Sequence, residues 1–355
     1  MKCKMLFFKT KLYLIIFILT LFKIFFSTTF LYAENFDIQN IEISKKFNMN
    51  FKKTDVIDDG FKIAFQKLIV NITKSKDQNK LDKLSLLNIK TIIDNFSIKE
   101  EKFIDNIYYV NLDVAFNKKK VFSLLEKKNI FPSLPKKEKV LFIPILIEED
   151  QKNNILFSEN FFFQNWLKIK DNNYQLLYVL PTEDLDDVQT IKTNYDFLEE
   201  YDFKEITSKY SLNYYIISLI YKNNNDLRIL SKIKLSDRLI LDNQIFKDFN
   251  KENSAKVIDK LKIIYEDYWK LENQINTSIK LPLQIAIKIT NDKKIKKFEE
   301  TIKNFDLVSS FSVSKLDNEM IYYRIIFNGT PKSFILSMEN SGHELDIKKK
   351  IWILK

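Results

Sequence analysis

From residue 36 the chain switches repeatedly between two hydrophobic rhythms, one with a period of two and one near 3.6, and the order of the switches predicts its elements. "FDIQNIEISKKF" (36–47) reads as a strand. Ile57, Phe61, Ala64, Phe65, Leu68 and Ile72 then recur at three- and four-residue spacing, so a helix is expected there, with Thr54 as its cap. Residues 81–95 are a second helix candidate. "SIKEEKFIDNIYYVNLDVAF" (97–116) reads as two strands with a polar bend at Asp105-Asn106, and "KKKVFSLLEKK" (118–128) as a short helix.

The pattern then breaks. "FPSLPKKEK" (131–139) carries Pro132, Pro135 and a charged run, which predicts an exposed connector. After it, "KVLFIPILI" (139–147) is continuously apolar, as in a strand covered on both faces. A helix is expected over 158–169, a strand at "YQLLYVLP" (174–181), and one helix over 195–210. Three successive strands follow at 213–222, 227–235 and 238–246, turning at Asn223–Asp226 and around Asp237.

One helix is expected over 253–274. "LPLQIAIKIT" (281–290) then alternates strictly, placing Leu283, Ile285, Ile287 and Ile289 on one face. A helix at 292–304 and strands at 308–316 and 319–327 come next, turning at Asp317-Asn318. Thr330-Pro331 reads as an N-cap followed by proline at the first helical position, and Gly342 as the C-terminal cap. "HELDIKKKIWILK" (343–355) is expected to close as one strand. The order β-α-β-β-α-β is the ferredoxin-like unit.

These segments give an α+β and α/β protein. The expected domains are an N-terminal α+β domain (34–135), a middle α/β domain (136–250), a connecting helix (251–277) and a C-terminal ferredoxin-like domain (278–355).

The first 33 residues belong to a different class. A basic start, the apolar core "LYLIIFILTLF" (12–22) and a small residue at Ala33 form the order of a secretory signal peptide, so the expected location is the periplasm. The competing reading is an uncleaved anchor, because apolar character resumes after Lys23; the chain would then sit in the inner membrane facing the periplasm.

Composition narrows the chemistry. The net charge is +10, but Lys2, Lys4, Lys9, Lys11 and Lys23 supply half of it, and the other lysines are scattered. No nucleic-acid partner is expected from that distribution. Cys3 is the only cysteine and lies in the leader; His343 is the only histidine. Disulfides, thiolate nucleophiles and multi-histidine zinc sites are therefore outside the mature chain's means. Three glycines cannot build a phosphate-cradling loop. No cofactor is expected.

The densest chemistry is "VLPTEDLDDV" (179–188), with Glu183, Asp184, Asp186 and Asp187 inside five positions. Convergent carboxylates could hold a divalent metal. However, the calcium-loop pattern and its glycine are absent, and Asp186 and Asp187 suit the first turn of a helix capped by Asp184 or Asp186. "SVSK" (312–315) matches S-x-x-K without its companion motifs. His343, following a capping glycine, is expected in an exposed turn. Tyr322, Tyr323 and Phe327 lack the glycine-bearing pattern of RNA-binding strands and are expected to pack.

Several of these segments together resemble the proteobacterial domain-of-unknown-function family 2066. "DDGFKIAFQKLIVNIT" (58–73) is similar to that family's helix, although Ile72-Thr73-Lys74 stands where the family has Leu-Thr-Gly. "LPTEDLDD" (180–187) resembles its Leu-Pro-x-x-Asp-x-x-Asp loop, with Asp184 and Asp187 in the acid positions. "YSLNYYIISLIY" (210–221) and "FNGTPKSFILSMENSGHELDIKKKIWIL" (327–354) look like its following strand and closing helix-strand. The family's Trp and Arg-Pro are missing from the linker, where Leu134 and the Lys136–Lys139 run stand instead. The resemblance implies an exported envelope protein without an assigned activity. The middle part is similar to the amino-terminal domain of the periplasmic Tol component, a non-catalytic interaction module. The expectation is thus a binding or assembly protein acting on other envelope proteins, not an enzyme. The alternative is a metal-assisted envelope hydrolase using Glu183, Asp184, Asp186 and Asp187.

Overall fold

A computed structural model describes residues 36–148, 153–169, 174–250 and 252–355. The expected signal peptide lies outside them. The described chain is mixed α+β, with ten α-helices and three sheets.

The first sheet is antiparallel in the order β1-β3-β2: β1 (Asp37–Lys46), β2 (Ile93–Ile104) and β3 (Ile107–Phe116). β2 and β3 meet at a two-residue turn in which Asp105 and Asn106 both have positive φ (50° and 59°). That is the conformation a tight hairpin requires, and Asp and Asn adopt it more readily than other side chains. Helix α1 (Lys53–Ile72) packs its apolar stripe on one face of the sheet, burying Val56, Phe61, Ala64, Phe65, Leu68 and Ile72. Gly60 permits the close approach: a Cβ there would lie 2.6 Å from Ile43 Cδ1 and Leu112 Cδ1. The cap is Lys52, which makes no side-chain cap bond, and Thr54 falls inside the first turn. The expected helix at 81–95 shortens to Leu86–Ile92, because Ile93 already enters β2; it follows the single turn Ser75–Gln78 (α2) and is α3 here. Helix α4 (Lys118–Lys127) completes this unit.

The second sheet has six strands: β4 (Glu138–Glu148), β5 (Asn153–Ile155), β6 (Leu176–Val179), β7 (Tyr215–Asn223), β8 (Asp226–Lys234) and β9 (Ile240–Phe246). β4 runs parallel to β7 along one edge; its other edge is shared by β6 (parallel) and β5 (antiparallel). Pro144 falls between the stretches paired with β6 and β5, and Asn160 Nδ2 donates to its carbonyl at 3.1 Å. A proline is tolerated there because no ladder bond is asked of it. β8 and β9 extend the sheet antiparallel.

Both faces are covered. One core joins Phe142, Trp166, Ile216 and Ile229 to Ile258, Leu261, Tyr265 and Trp269 of the long helix α8 (Ser254–Glu272), with α5 (Phe161–Trp166) beside it. The other joins Ile143, Ile145, Ile217 and Leu219 to Ile191, Leu198, Phe203 and Ile206. The single helix expected over 195–210 is instead a series of short turns around α7 (Lys204–Thr207). Phe203 has φ +56°, and the preceding Asp202 accepts the Lys204 N–H at 2.9 Å, so helix cannot propagate through that point.

The expected loose connector at 131–139 is partly held. Ser133 is buried and its N–H donates to Ile72 O, Ile275 N–H donates to Pro132 O, and Trp269 Nε1 donates to Lys136 O. The lysine side chains of the run remain exposed.

The third sheet has the order β11-β12-β10-β14-β13, built from β10 (Leu281–Lys288), β11 (Val308–Leu316), β12 (Met320–Phe327), β13 (Leu345–Asp346) and β14 (Trp352–Leu354). Helices α9 (Asp292–Asn304) and α10 (Pro331–Asn340) contribute Phe298, Ile302, Phe334 and Met338 to its core. The succession strand-helix-strand-strand-helix is as expected, but the closing strand is not one strand. Asp346 Oδ1 accepts the Lys348 N–H at 3.1 Å and turns the chain out of the sheet; it returns as β14, parallel to β10. The ferredoxin-like unit places its last strand antiparallel to its first, so this edge departs from it.

Candidate functional site

The acidic loop follows β6. Pro181 is buried, and the Thr182 N–H donates to Tyr210 Oη at 3.0 Å. Asp184 is the N-cap of α6 (Leu185–Thr193): its Oδ1 accepts the Asp186 N–H at 2.9 Å, satisfying a donor that the helix itself leaves open. Asp186 and Asp187 occupy the first turn, where negative charge suits the helix dipole. The capping role expected of Asp184 or Asp186 falls to Asp184.

The four carboxylates do not converge. Glu183 turns away and accepts the Ser158 N–H at 3.2 Å, and Asp186 points to solvent. Asp184 and Asp187 do meet, on a group that the sequence pattern had not singled out. Lys209 Nζ lies 2.6 Å from Asp184 Oδ2 and 2.6 Å from Asp187 Oδ1. The Lys209 ammonium, followed by the Asp186 N–H, holds the Asp184 carboxyl below its ordinary range, and both carboxylates push the Lys209 ammonium well above its own. A divalent ion would have to displace this cation. Among the described residues no three His, Cys, Asp or Glu side chains are placed to hold a metal.

Beside the loop lies an open depression of about 530 Å³, lined by Asn154, Ser158, Glu159, Glu183, Asp184 and Lys192. It sits where the chain passes from one side of β4 (β6) to the other (β7), the kind of switch point at which α/β sheets hold ligands. Its carboxylates offer acceptors, but it contains neither a thiol nor an imidazole.

A second polar group is buried along α8, at positions that the apolar periodicity also uses. Lys262 Nζ donates to Trp166 O (2.7 Å) and Ile169 O (2.5 Å), terminating the carbonyls of α5. Glu266 Oε1 accepts the Leu176 N–H at 2.7 Å, and burial holds its carboxyl above the ordinary range. Lys270 Nζ donates to Val70 O at 2.6 Å, and Asp267 accepts from Ser75. Tyr265 Oη is 2.7 Å from both Ser218 Oγ and Ser231 Oγ. The spacing 262, 266, 270 was the available signal, since it repeats every four residues on the stripe that Ile258 begins.

The remaining candidates are separate. Lys315 pairs with Asp317 (3.6 Å) and lies over the Tyr322 ring, while Ser312 stands exposed on β11. Tyr323 and Phe327 are core residues, as expected, and the Tyr323 hydroxyl donates to Glu299. His343 is not in an exposed turn. The Gly342 and His343 N–H groups bond back to Glu339 O and Met338 O, which turns the imidazole inward: it is 6% exposed, with Nε2 3.0 Å from Thr301 Oγ1. Burial first, then Lys297 and Lys294, hold its pKa below the usual histidine value. No described helix is long and apolar enough to cross a membrane. Compared with known proteins, the chain matches no family model, and no curated protein matches it.

Proposed function

We propose that the chain is an exported, periplasmic binding or assembly module that acts on other envelope proteins without catalysis. The observation that carries this reading is the β9 edge of the six-stranded sheet, with which no strand among the described residues pairs. β9 is its last strand, and Leu241 (61% exposed) and Ile245 (65% exposed) project from it beside Arg228 and Lys232 of β8. An edge strand offers a row of unpaired N–H and C=O groups to an extended segment of a partner, and alternate side chains supply selectivity. The resemblance to family 2066 and to the Tol amino-terminal domain supports the same class of role, with the C-terminal five-stranded part as a further domain. The hydrolase alternative is less well supported, because Asp184 and Asp187 are both engaged by Lys209.

The test places a photo-crosslinking residue at position 241 or 245 in cells. A discrete adduct with another envelope protein, lost when its neighbour in the row is changed to lysine, is expected. No adduct at either position, together with metal-dependent hydrolysis abolished by Asp184→Ala/Asp187→Ala, would replace this reading with the hydrolase.

A further inference from the structure

One end of the first sheet is built unlike the rest of the surface. The β1–α1 loop and the β2–β3 turn meet there, tied by the Phe47 N–H donating to Asn106 O at 2.8 Å. Phe47 packs on Phe51 (5.0 Å between centroids) and edge-on to Phe103 (5.2 Å), and Phe51 and Phe103 both rest on buried Tyr108. The cluster is fixed from below and open above. Phe47 is 51% exposed, Phe103 55%, and Met49 has no cover at all. Held apolar side chains that stay in water have a standing cost, which a partner surface would remove.

The charge around them indicates what kind of surface. The segment "KKFNMNFKK" (45–53) carries four lysines and no acid. Lys45 and Lys53 pair with Asp59 and Glu101. Lys46 and Lys52, which flank the aromatic loop, make no ion pair among the described residues, and Asp105 is the one acid of the facing turn. Aromatic and thioether side chains at the tip, with ammonium groups set back along the flanks, match the layering of a bilayer interface, where rings sit at headgroup depth and lysines reach anionic phosphates. We propose that this tip seats on an anionic lipid bilayer, with Phe47, Met49 and Phe103 entering the headgroup boundary and Lys46 and Lys52 contacting lipid phosphate. This seat is independent of the β9 edge and of any N-terminal anchor.

The experiment uses the full chain with Cys3→Ser, so that a single cysteine introduced as Met49→Cys carries an environment-sensitive fluorophore. Leu185→Cys, on the exposed face of the acidic loop, carries it in the control. Vesicles are phosphatidylcholine with or without phosphatidylglycerol. The label at 49 is expected to shift to the blue and to be quenched by lipid-borne quenchers only on vesicles containing phosphatidylglycerol, while the label at 185 stays in water even if the leader itself tethers the chain. Lys46→Glu/Lys52→Glu should weaken the response at least about tenfold. An unchanged spectrum at 49, an equal response on purely zwitterionic vesicles, or a response that requires added envelope protein instead of lipid would each overturn the proposal.

Discussion

Tyr265→Phe removes one oxygen from a fully enclosed polar contact. Tyr265, Ser218 and Ser231 are all fully buried, and the two serines face each other across β7 and β8 at 3.4 Å. Burial pushes the phenol's pKa far above its ordinary value, so the group keeps its proton at any pH used for the measurement. Deleting it loses two hydrogen bonds of about 0.5–1.5 kcal/mol net each. The serine hydroxyls can close on one another and recover part of that, so the expected cost is about 2 kcal/mol. For a protein of typical stability, about 5–15 kcal/mol, that is readily measured. Urea unfolding followed by the fluorescence of Trp166 and Trp269, which share that core, reads the change. The triple variant Tyr265→Phe/Ser218→Ala/Ser231→Ala, which leaves no orphaned hydroxyl, should be about 1 kcal/mol more stable than the sum of the separate substitutions implies. Strict additivity, or a single-variant cost under about 0.5 kcal/mol, would refute the claim that the three hydroxyls act as one unit.

The other predictions concern titration and ions. The native state holds His343 with a lowered pKa, so it binds fewer protons than the unfolded chain. Its contribution is therefore fully present above the unfolded histidine pKa, near 6.5, and is lost as pH falls below that value. The single imidazole resonance should titrate below free histidine, and His343→Gln should flatten the loss of stability on the acid side; a resonance titrating at or above the free value would contradict the burial argument. At the acidic loop, millimolar calcium or magnesium should leave the melting temperature unchanged, and Asp186→Asn should cost only about 0.3–1 kcal/mol in a denaturation assay. A metal-dependent rise that disappears in Asp184→Ala/Asp187→Ala would show that the ion displaces Lys209.

Local signals were legible wherever the chain's own neighbours decide the outcome. The Asp105-Asn106 hairpin, the helix at Asp292–Asn304, the Thr330-Pro331 start and the Gly342 stop all depend on contacts within a few residues. The errors share a different cause. Lys209 lies 22 and 25 residues from the carboxylates it joins, inside a segment whose periodicity suggested continuous helix. The left-handed backbone at Phe203 carries no glycine to announce it. His343 sits beside a glycine that forms an ordinary helix stop, but the groups that receive the ring, Phe298 and Thr301, lie about forty residues away and give no local signal. The polar residues of α8 went unassigned for a related reason: the spacing of Lys262, Glu266 and Lys270 is visible in the helix, but their partners come from α1, α5 and β6, distant in sequence.

The position of α8 in the chain gives the molecule a timetable. Residues 254–272 emerge after α1 and after strands β4 to β9, yet they supply the cover for Phe142, Ile216 and Ile229 and the cation that receives Val70 O at the end of α1. Until that helix arrives, one face of the six-stranded sheet has only part of its cover, from Phe162 and Trp166 of α5, and the first unit lacks one of its polar ties to the rest of the chain. A nascent chain in that condition is the kind that aggregates or recruits a holdase. The interval of greatest vulnerability therefore runs from the completion of β8, at residue 234, to the docking of Trp269. A ribosome or translocase that paused within it would expose a surface that the finished protein never shows.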